Sequence, residues 1–314
     1  MKLSQVIAQY IELKQSMGMR FRTEQVILRA FSKAMGDITL EAVEADRVFV
    51  YIAGTGPVTR FWHRKQEALR GFYRFAVGRG YVATAPLPTF LPKPPKSFVP
   101  YVYSPEELQR LLDATPSQEN PRRGLQAHTL RTLLLLLYGA GLRLSEALHF
   151  TMADVDIENS LLVIRETKFY KTRLVPIGPN LTAALSAYSV KRQELKHFQS
   201  PSALFFITRT GNPVTCQMAE LAFVRLRDSA GVHRHDGSRY QPRLHDLRHA
   251  FAVHRLISWY RQGADVQRLL PQLSTYLGHI HIAATQRYLT MTTELLEEAS
   301  LRFERYAMGG SHHG

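Results

Sequence analysis

Residues 85–100 read APLPTFLPKPPKSFVP, six prolines in sixteen positions, and this stretch constrains the chain more than any other. Proline fixes φ and lacks the backbone donor, so the segment is expected to run extended, without a hydrogen-bonded core. It parts the 314 residues into a first domain over 1–85, a linker over 86–100 and a second domain over 101–314. Hydrophobic residues make up 45% of the chain, enough to give each domain a core. The single cysteine, Cys216, excludes an intramolecular disulfide and a thiolate-rich metal cage. The longest apolar run, Leu133 to Tyr138, is far too short for a bilayer span. The first residues, MKLSQVIAQYIELKQ, interrupt their apolar spacing with Gln, Glu and Lys, unlike a signal peptide. A cytoplasmic protein without membrane partners is expected.

Charge narrows the choice of partner. Lys and Arg total 40 against 26 Asp and Glu, a net charge of +14 with a pI near 10.0. Such an excess suits a polyanion, nucleic acid first and an anionic membrane surface second. Residues 1–100 carry 15 basic and 7 acidic side chains, and the remainder 25 and 19. Both parts are basic, which suggests two bodies closing on one polyanion and a nucleoid-associated location.

The first domain reads as helices. Ser4 precedes Val6, Ile7, Tyr10 and Ile11; Thr23 precedes Val26, Ile27, Ala30, Phe31 and Ala34, with Gly36 as a stop. A third helical run covers Leu40 to Ile52 and a fourth Pro57 to Val77. On the fourth, Arg60, Arg64, Arg70 and Arg74 fall within a sector of roughly 120°. Phe61, Trp62, Leu69, Phe72, Tyr73 and Ala76 lie opposite, with Lys65 the exception among them. The four arginines are the expected DNA-binding face, laid along phosphates or into a groove.

The second domain alternates. A helix over 104–112 opens with a capping box, Ser104 with Glu107, and Pro105 at its first position. An apolar helix runs from Thr129 to Tyr138. A hairpin follows, Leu161 to Glu166 and Leu174 to Ile177, with its turn at Lys168 to Lys171. Helices are expected over 180–196, 215–229, 245–261, 265–277 and 293–306, and a short strand over Ala203 to Ile207. The fold class is mainly α with one small antiparallel sheet (α+β).

Common enzyme signatures fail. There is no GxxxxGK[ST] or GxGxxG phosphate loop and no GxSxG elbow. The stretch HDLRH at 245–249 matches a zinc HExxH in outline only, and no metal site or cofactor is expected. What remains is an ordered constellation: Arg143 in GLRLSEAL, Lys168 in TKFYKTRLVPI, His245 and Arg248 in LHDLRHAF, His279 in YLGH, and Tyr288 nine residues later in QRYL. In these motifs, and over nearly its whole length, the sequence resembles the tyrosine recombinase (phage-integrase-like) family. The stretches LPQLSTYLGH and YLTMTTELLEEASLRFE look more like its transposon-borne integrases.

The resemblance implies a helical core-binding domain and a catalytic domain that together clamp duplex DNA. It implies a site-specific recombinase that needs no metal, working as a tetramer on its DNA site, alone or with related recombinases. Integration or excision of a mobile element is the expected role. Protein cations would replace the metal's charge stabilisation. Arg143 and Arg248 offer planar forks to the non-bridging oxygens. Tyr288 is the expected nucleophile, and His245 its candidate base and a phosphate hydrogen-bond partner. His279 would donate to the phosphate, and Lys168, or else Lys171, would protonate the leaving 5′ oxygen. The product would be a 3′-phosphotyrosyl link. Glu146 is expected to hold Arg143, and Asp246 to do likewise near His245. Tyr276 and Tyr306 are rival tyrosines without the spacing to LGH. A type IB topoisomerase and a catalytically silent DNA-binding relative remain alternatives. The stripe Leu295, Leu296, Ala299, Phe303 and Tyr306, over Thr293 to Met308, is expected to dock into a neighbouring catalytic domain.

Overall fold

In a computed structural model of the chain, residues 1–95, 99–165, 172–194, 200–238 and 240–309 are described, the side chains of 305–309 excepted. The chain forms two compact units, the first running to Phe98 and the second beginning at Val99. None of the described helices is long and apolar enough to cross a membrane.

The first unit is a helical cluster: α1 (Leu3–Ser16), α2 (Arg22–Met35), α3 (Ala45–Ala53) and α4 (Arg60–Gly78). Val6, Ile7 and Tyr10 of α1 pack with Leu28 and Phe31 of α2, and with Leu69, Phe72 and Tyr73 of α4. Burial of side chains this size stabilises by about 1.5–3 kcal/mol each. The third helical run is shorter than its periodicity suggests. A 3₁₀ turn covers Leu40–Ala42, the backbone is extended at Val43 and Glu44, and only then does α3 begin. An isolated antiparallel bridge between Lys2 and Thr39 holds the residue before this turn extended.

The fourth helix starts three residues late, at Arg60, where the Thr59 hydroxyl accepts from the backbone N–H of Trp62. Arg60, Arg64, Arg70 and Arg74 are all exposed. Arg64 faces Glu24 at 3.5 Å. Phe61, expected in the core, is 52% exposed instead. Lys65, the exception in the apolar sector, donates to the carbonyl of Tyr51 at 2.7 Å and lies over the Tyr51 ring. Its stem covers apolar surface while its charge finds an acceptor.

The second unit carries α5 (Pro105–Asp113), α6 (Ala127–Gly139), α7 (Leu144–Leu148), β1 (Val155–Asp156), β2 (Leu161–Ile164) and β3 (Arg173–Pro176). After the sheet come α8 (Pro179–Glu194), α9 (Cys216–Ser229), α10 (Leu244–Arg261), α11 (Val266–Leu277), α12 (Ala283–Gln286) and α13 (Thr293–Gly309). The sheet is antiparallel in the order β1-β2-β3, with Leu162 paired to Val175 and Ile164 to Arg173. The turn of the hairpin, with Lys168 and Lys171, lies outside the described residues. The short strand expected over Ala203 to Ile207 is not one. It makes only isolated bridges, Leu204 to Thr151 and Ile207 to Pro213. Phe205 and Phe206 are both buried, so the alternation of a strand fails there. The buried Arg192 donates to the carbonyls of Leu204 and Phe205 in place of a neighbouring strand.

Two apolar clusters hold the second unit together. One gathers α5, α6, the sheet, α9 and the first half of α10. The other joins the second half of α10 to α11, with Tyr288 and Leu295. The last helix, α13, packs on its own unit through part of its stripe. Leu295 is buried, Arg261 of α10 pairs with Glu294 and Glu298, and Arg302 donates to the carbonyl of Ala264. Leu296 and Phe303 of the same stripe remain exposed. The Tyr306 side chain lies outside the described residues.

Candidate active site

The site is built from five segments that meet: the turn before α7, β3, the start of α10, the end of α11 and the turn after α12. After α6, Gly141 turns the chain with φ at +59°, a conformation open to glycine. A Cβ there would lie 2.4 Å from the Phe251 ring, so glycine also permits the close approach of α10. Arg143 then stands just before α7, and its backbone N–H donates to Glu146 Oε2 at 3.0 Å. Glu146 is the third residue of α7, and its carboxylate caps that helix's start. Asp246 does the same for α10, accepting from the backbone N–H of Arg243 at 2.9 Å and from its guanidinium. Asp246 thus secures the helix that bears His245 and Arg248, and its charge acts on the His245 imidazole.

Glu146 is the hub. Arg143 Nη1 donates to its Oε1 at 2.7 Å. Arg173 grips it with both ends of the fork, Nη1 to Oε1 at 3.0 Å and Nη2 to Oε2 at 2.9 Å. Arg248 Nη1 stands 3.9 Å from Oε2. Burial would raise this carboxyl's pKa, but Arg173, then Arg143, bring it down to about 2.

The same three arginines end α11. The last carbonyls of a helix lack intrahelical partners. Here Arg173 Nε donates to the carbonyl of Tyr276 at 3.1 Å, Arg248 Nη2 to that of Leu277 at 2.5 Å, and Arg143 Nη2 to that of Gly278 at 3.2 Å. Three successive carbonyls take three guanidiniums, a favourable place for cations at the negative end of the helix dipole. Arg248 Nη1 donates in addition to the carbonyl of Gly141 at 2.7 Å. Burial, then the neighbouring Arg143, lower the Arg248 pKa to about 10, which leaves it charged at neutral pH.

Tyr288 enters from a 3₁₀ turn, Arg287–Thr290, that continues α12. It is only 2% exposed, so its ring is part of the core as well as of the site. The hydroxyl lies 3.2 Å from His249 Nδ1. Burial pushes the phenol above its ordinary value, against the charges of Arg248, Arg143 and Arg287. His279 stacks on the Tyr288 ring, centroids 6.0 Å apart and planes at 28°, and its Nδ1 is 2.7 Å from the hydroxyl of the buried Thr285. Desolvation, then Arg248 and Arg143, bring His279 down to about 4, so it is neutral at physiological pH.

Of the residues expected from sequence, Arg143, Glu146, Arg248, His279 and Tyr288 come together. His245 lies exposed at the rim, its ring edge-on to His249 at 4.9 Å. The rival Tyr276 donates its hydroxyl to the carbonyl of Pro176 and stacks on Phe251. Two further residues of the site stand inside the quoted motifs, in TKFYKTRLVPI and LHDLRHAF, without a role expected from sequence. Arg173 shares the inward face of β3 with the buried Val175, a charge where alternation calls for an apolar side chain. His249 follows His245 by one helical turn and so shares its face. Desolvation, then His245 and Arg248, lower the pKa of His249 to about 3. Among the described residues no group of three His, Cys, Asp or Glu side chains could hold a metal ion.

The chain as a whole is similar to known proteins. Residues 102–294 match the family described as "Phage integrase family". The chain is 36% identical over 311 residues to the "Putative integrase/recombinase y4rB" of Sinorhizobium fredii, covering 96% of each. It is 30% identical over 290 residues to the tyrosine recombinase XerA of Thermococcus kodakarensis, covering 92% of this chain and 91% of that one. Among solved structures, the Tn1549 transposon integrase bound to a circular intermediate DNA superposes with a TM-score of 0.70 at 17% identity, over 97% of this chain and 99% of that chain. A lambda integrase dimer on a COC' core site gives 0.65 at 15% identity, over 93% and 97%. With its arginines, histidines and tyrosine gathered at one site, the chain belongs to the phage integrase family and is a tyrosine recombinase.

Proposed function

We propose that Tyr288 attacks a phosphodiester of duplex DNA, forming a 3′-phosphotyrosyl bond and releasing a 5′ hydroxyl that later re-forms a strand by the reverse step. The observation that carries this reading is the Tyr288 hydroxyl itself, buried and held among Arg248, Arg143 and His249. Arg143 and Arg248 stabilise the charge that grows on the non-bridging oxygens. His279, neutral, donates to the phosphate, and Lys168 or Lys171 protonates the leaving oxygen. His249 faces the nucleophile, and His245 stands beside it, ring edge-on. With a pKa near 3, His249 is a poor store for the phenol proton. It orients the hydroxyl until a phosphate arrives, whose negative charge raises the basicity of the imidazole. His249 then takes the phenol proton as Tyr288 attacks and returns it in the reverse step. His245 is left to hydrogen-bond the phosphate from the rim.

The test uses a pool of nicked duplexes with randomised sequence around the nick, so that the cleaved fragment diffuses away and the adduct accumulates. An SDS-resistant protein–DNA adduct is expected, and it is expected to persist in excess EDTA, because the arginines carry the charge that a metal would. Strict dependence on a divalent ion would overturn the reading.

The first domain, 1–85, serves as the core-binding half through Arg60, Arg64, Arg70 and Arg74, and the second, 101–314, as the catalytic half. A role in a mobile element draws support from the likeness to a transposon integrase. Strand exchange between two duplexes needs four nucleophiles, and a structurally similar lambda integrase is known as a tetramer on a Holliday junction. The exposed Leu296, Leu301 and Phe303 of α13 support contact with a neighbouring copy. Leu296→Glu with Phe303→Ser should leave binding of one protomer to DNA within about 2-fold, a surface change, and remove higher-order complexes in gel shift. Undiminished tetramers would assign assembly elsewhere.

A further inference from the structure

We propose that Arg173 is a positioning residue of the recombination site, a third arginine that sets Arg143 and Arg248 for the phosphate without touching it. The proposal rests on the reading of those two as the phosphate grip. Arg173 is 11% exposed, and its fork is spent inward, two donors on Glu146 and Nε on the Tyr276 carbonyl. Each of its three nitrogens is thus engaged within the protein. Its neighbour Gly278 leaves room for it, since a Cβ there would lie 2.6 Å from Arg173 Nη1.

The consequence is electrostatic. Glu146 faces three guanidiniums, and Arg173 takes the carboxylate face-on, both oxygens at once. Arg143 holds only one of them with its side chain, and Arg248 waits at 3.9 Å. Without Arg173, the carboxylate would bind Arg143 more firmly and pull on Arg248 against its bonds to the Gly141 and Leu277 carbonyls, so that both would be displaced from their setting for the phosphate. The net charge facing the scissile group would also fall from two positive charges to one. A lysine restores the charge but cannot reproduce the fork.

The test compares wild type with Arg173→Gln and Arg173→Lys at saturating protein on a nicked duplex. Cleavage by Arg173→Gln is expected to slow by roughly 100-fold, the scale of a misplaced catalytic group, while DNA affinity stays within about 2-fold, binding being carried by other phosphate contacts. Arg173→Lys should recover part of the rate. The same comparison on a duplex with sulfur in place of the bridging 5′ oxygen tells how Arg173 acts, because a thiolate leaves without a proton. A defect of undiminished size there supports action through the phosphate grip. A defect that vanishes assigns Arg173 to the lysine-bearing turn and overturns the proposal, as does a normal rate on the ordinary duplex. If Arg173→Gln does not fold, Arg173→Lys alone carries the comparison, and a Lys variant that also fails to fold makes Arg173 a stability residue and overturns it too. No adduct from wild type would refute the reading of Tyr288 itself, a result distinguishable from any of these.

Discussion

Tyr288→Phe is expected to abolish the covalent protein–DNA adduct while leaving site-specific binding near that of the wild type. The substitution removes one oxygen and nothing else. The ring keeps its place in the core, stacked on His279. What is lost besides the attacking oxygen are its hydrogen bonds with His249 Nδ1 and Arg248, each worth about 1 kcal/mol in net stability. The variant should therefore fold, bind and fail only in chemistry. The control is Tyr276→Phe, whose hydroxyl is engaged with the Pro176 carbonyl and whose phenol is pushed up to about 12 by burial. It should still form adduct. Adduct surviving in Tyr288→Phe, or lost in Tyr276→Phe alone, would move the nucleophile.

The second large effect is expected from Glu146→Gln. The carboxylate accepts from Arg143 and Arg173 and lies near Arg248, so its loss leaves three cations about one neutral amide. Its pKa is depressed from 4.5 to about 2. A depressed acid contributes stability that is present above its unfolded value and is lost as pH falls through its folded one. The contribution is thus complete above about pH 5 and gone below about pH 2. It amounts to about 3 kcal/mol, the order expected for a buried, paired group. Glu146→Gln should lower the unfolding free energy at pH 7 by about this much and flatten the acid limb of stability between pH 5 and 2. Duplex DNA or inorganic phosphate should then stabilise the variant more than the wild type, since an anion fills the place of the lost charge. Denaturant unfolding across pH, with and without phosphate, measures both. A wild-type acid limb in the variant would show that Glu146 is not the group responsible.

The two carboxylates show how far local rules reach. Glu146 and Asp246 each stand third in a helix, close behind an arginine, and the capping of a helix start by such a residue is a matter of a few neighbouring atoms. Both are legible in the sequence as supports. Arg173 is not. Its partners, Glu146 and the Tyr276 carbonyl, lie 27 and 103 residues away, and the clue, a charge on the inward face of a strand, names no partner. His249 reads in the sequence only as the end of a failed zinc motif, because that motif looks for a metal, whereas its partner is Tyr288, 39 residues on. The strand expected over Ala203 to Ile207 fails for a related reason. Two adjacent phenylalanines are both buried there because the surroundings wrap the chain on both sides.

What the sequence alone determined is the order and identity of the chemical groups: the basic helix, the paired units about a proline-rich seam, the arginine, histidine and tyrosine motifs and their spacing. Those are properties of neighbours along the chain, set by backbone geometry and helical period. The tertiary structure alone decided which nitrogen faces which oxygen. It turned three arginines onto three successive carbonyls, brought His249 to the Tyr288 hydroxyl, and laid α13 on its own unit. Such choices depend on packing between segments distant in sequence, where a shift of one ångström exchanges one hydrogen-bond partner for another.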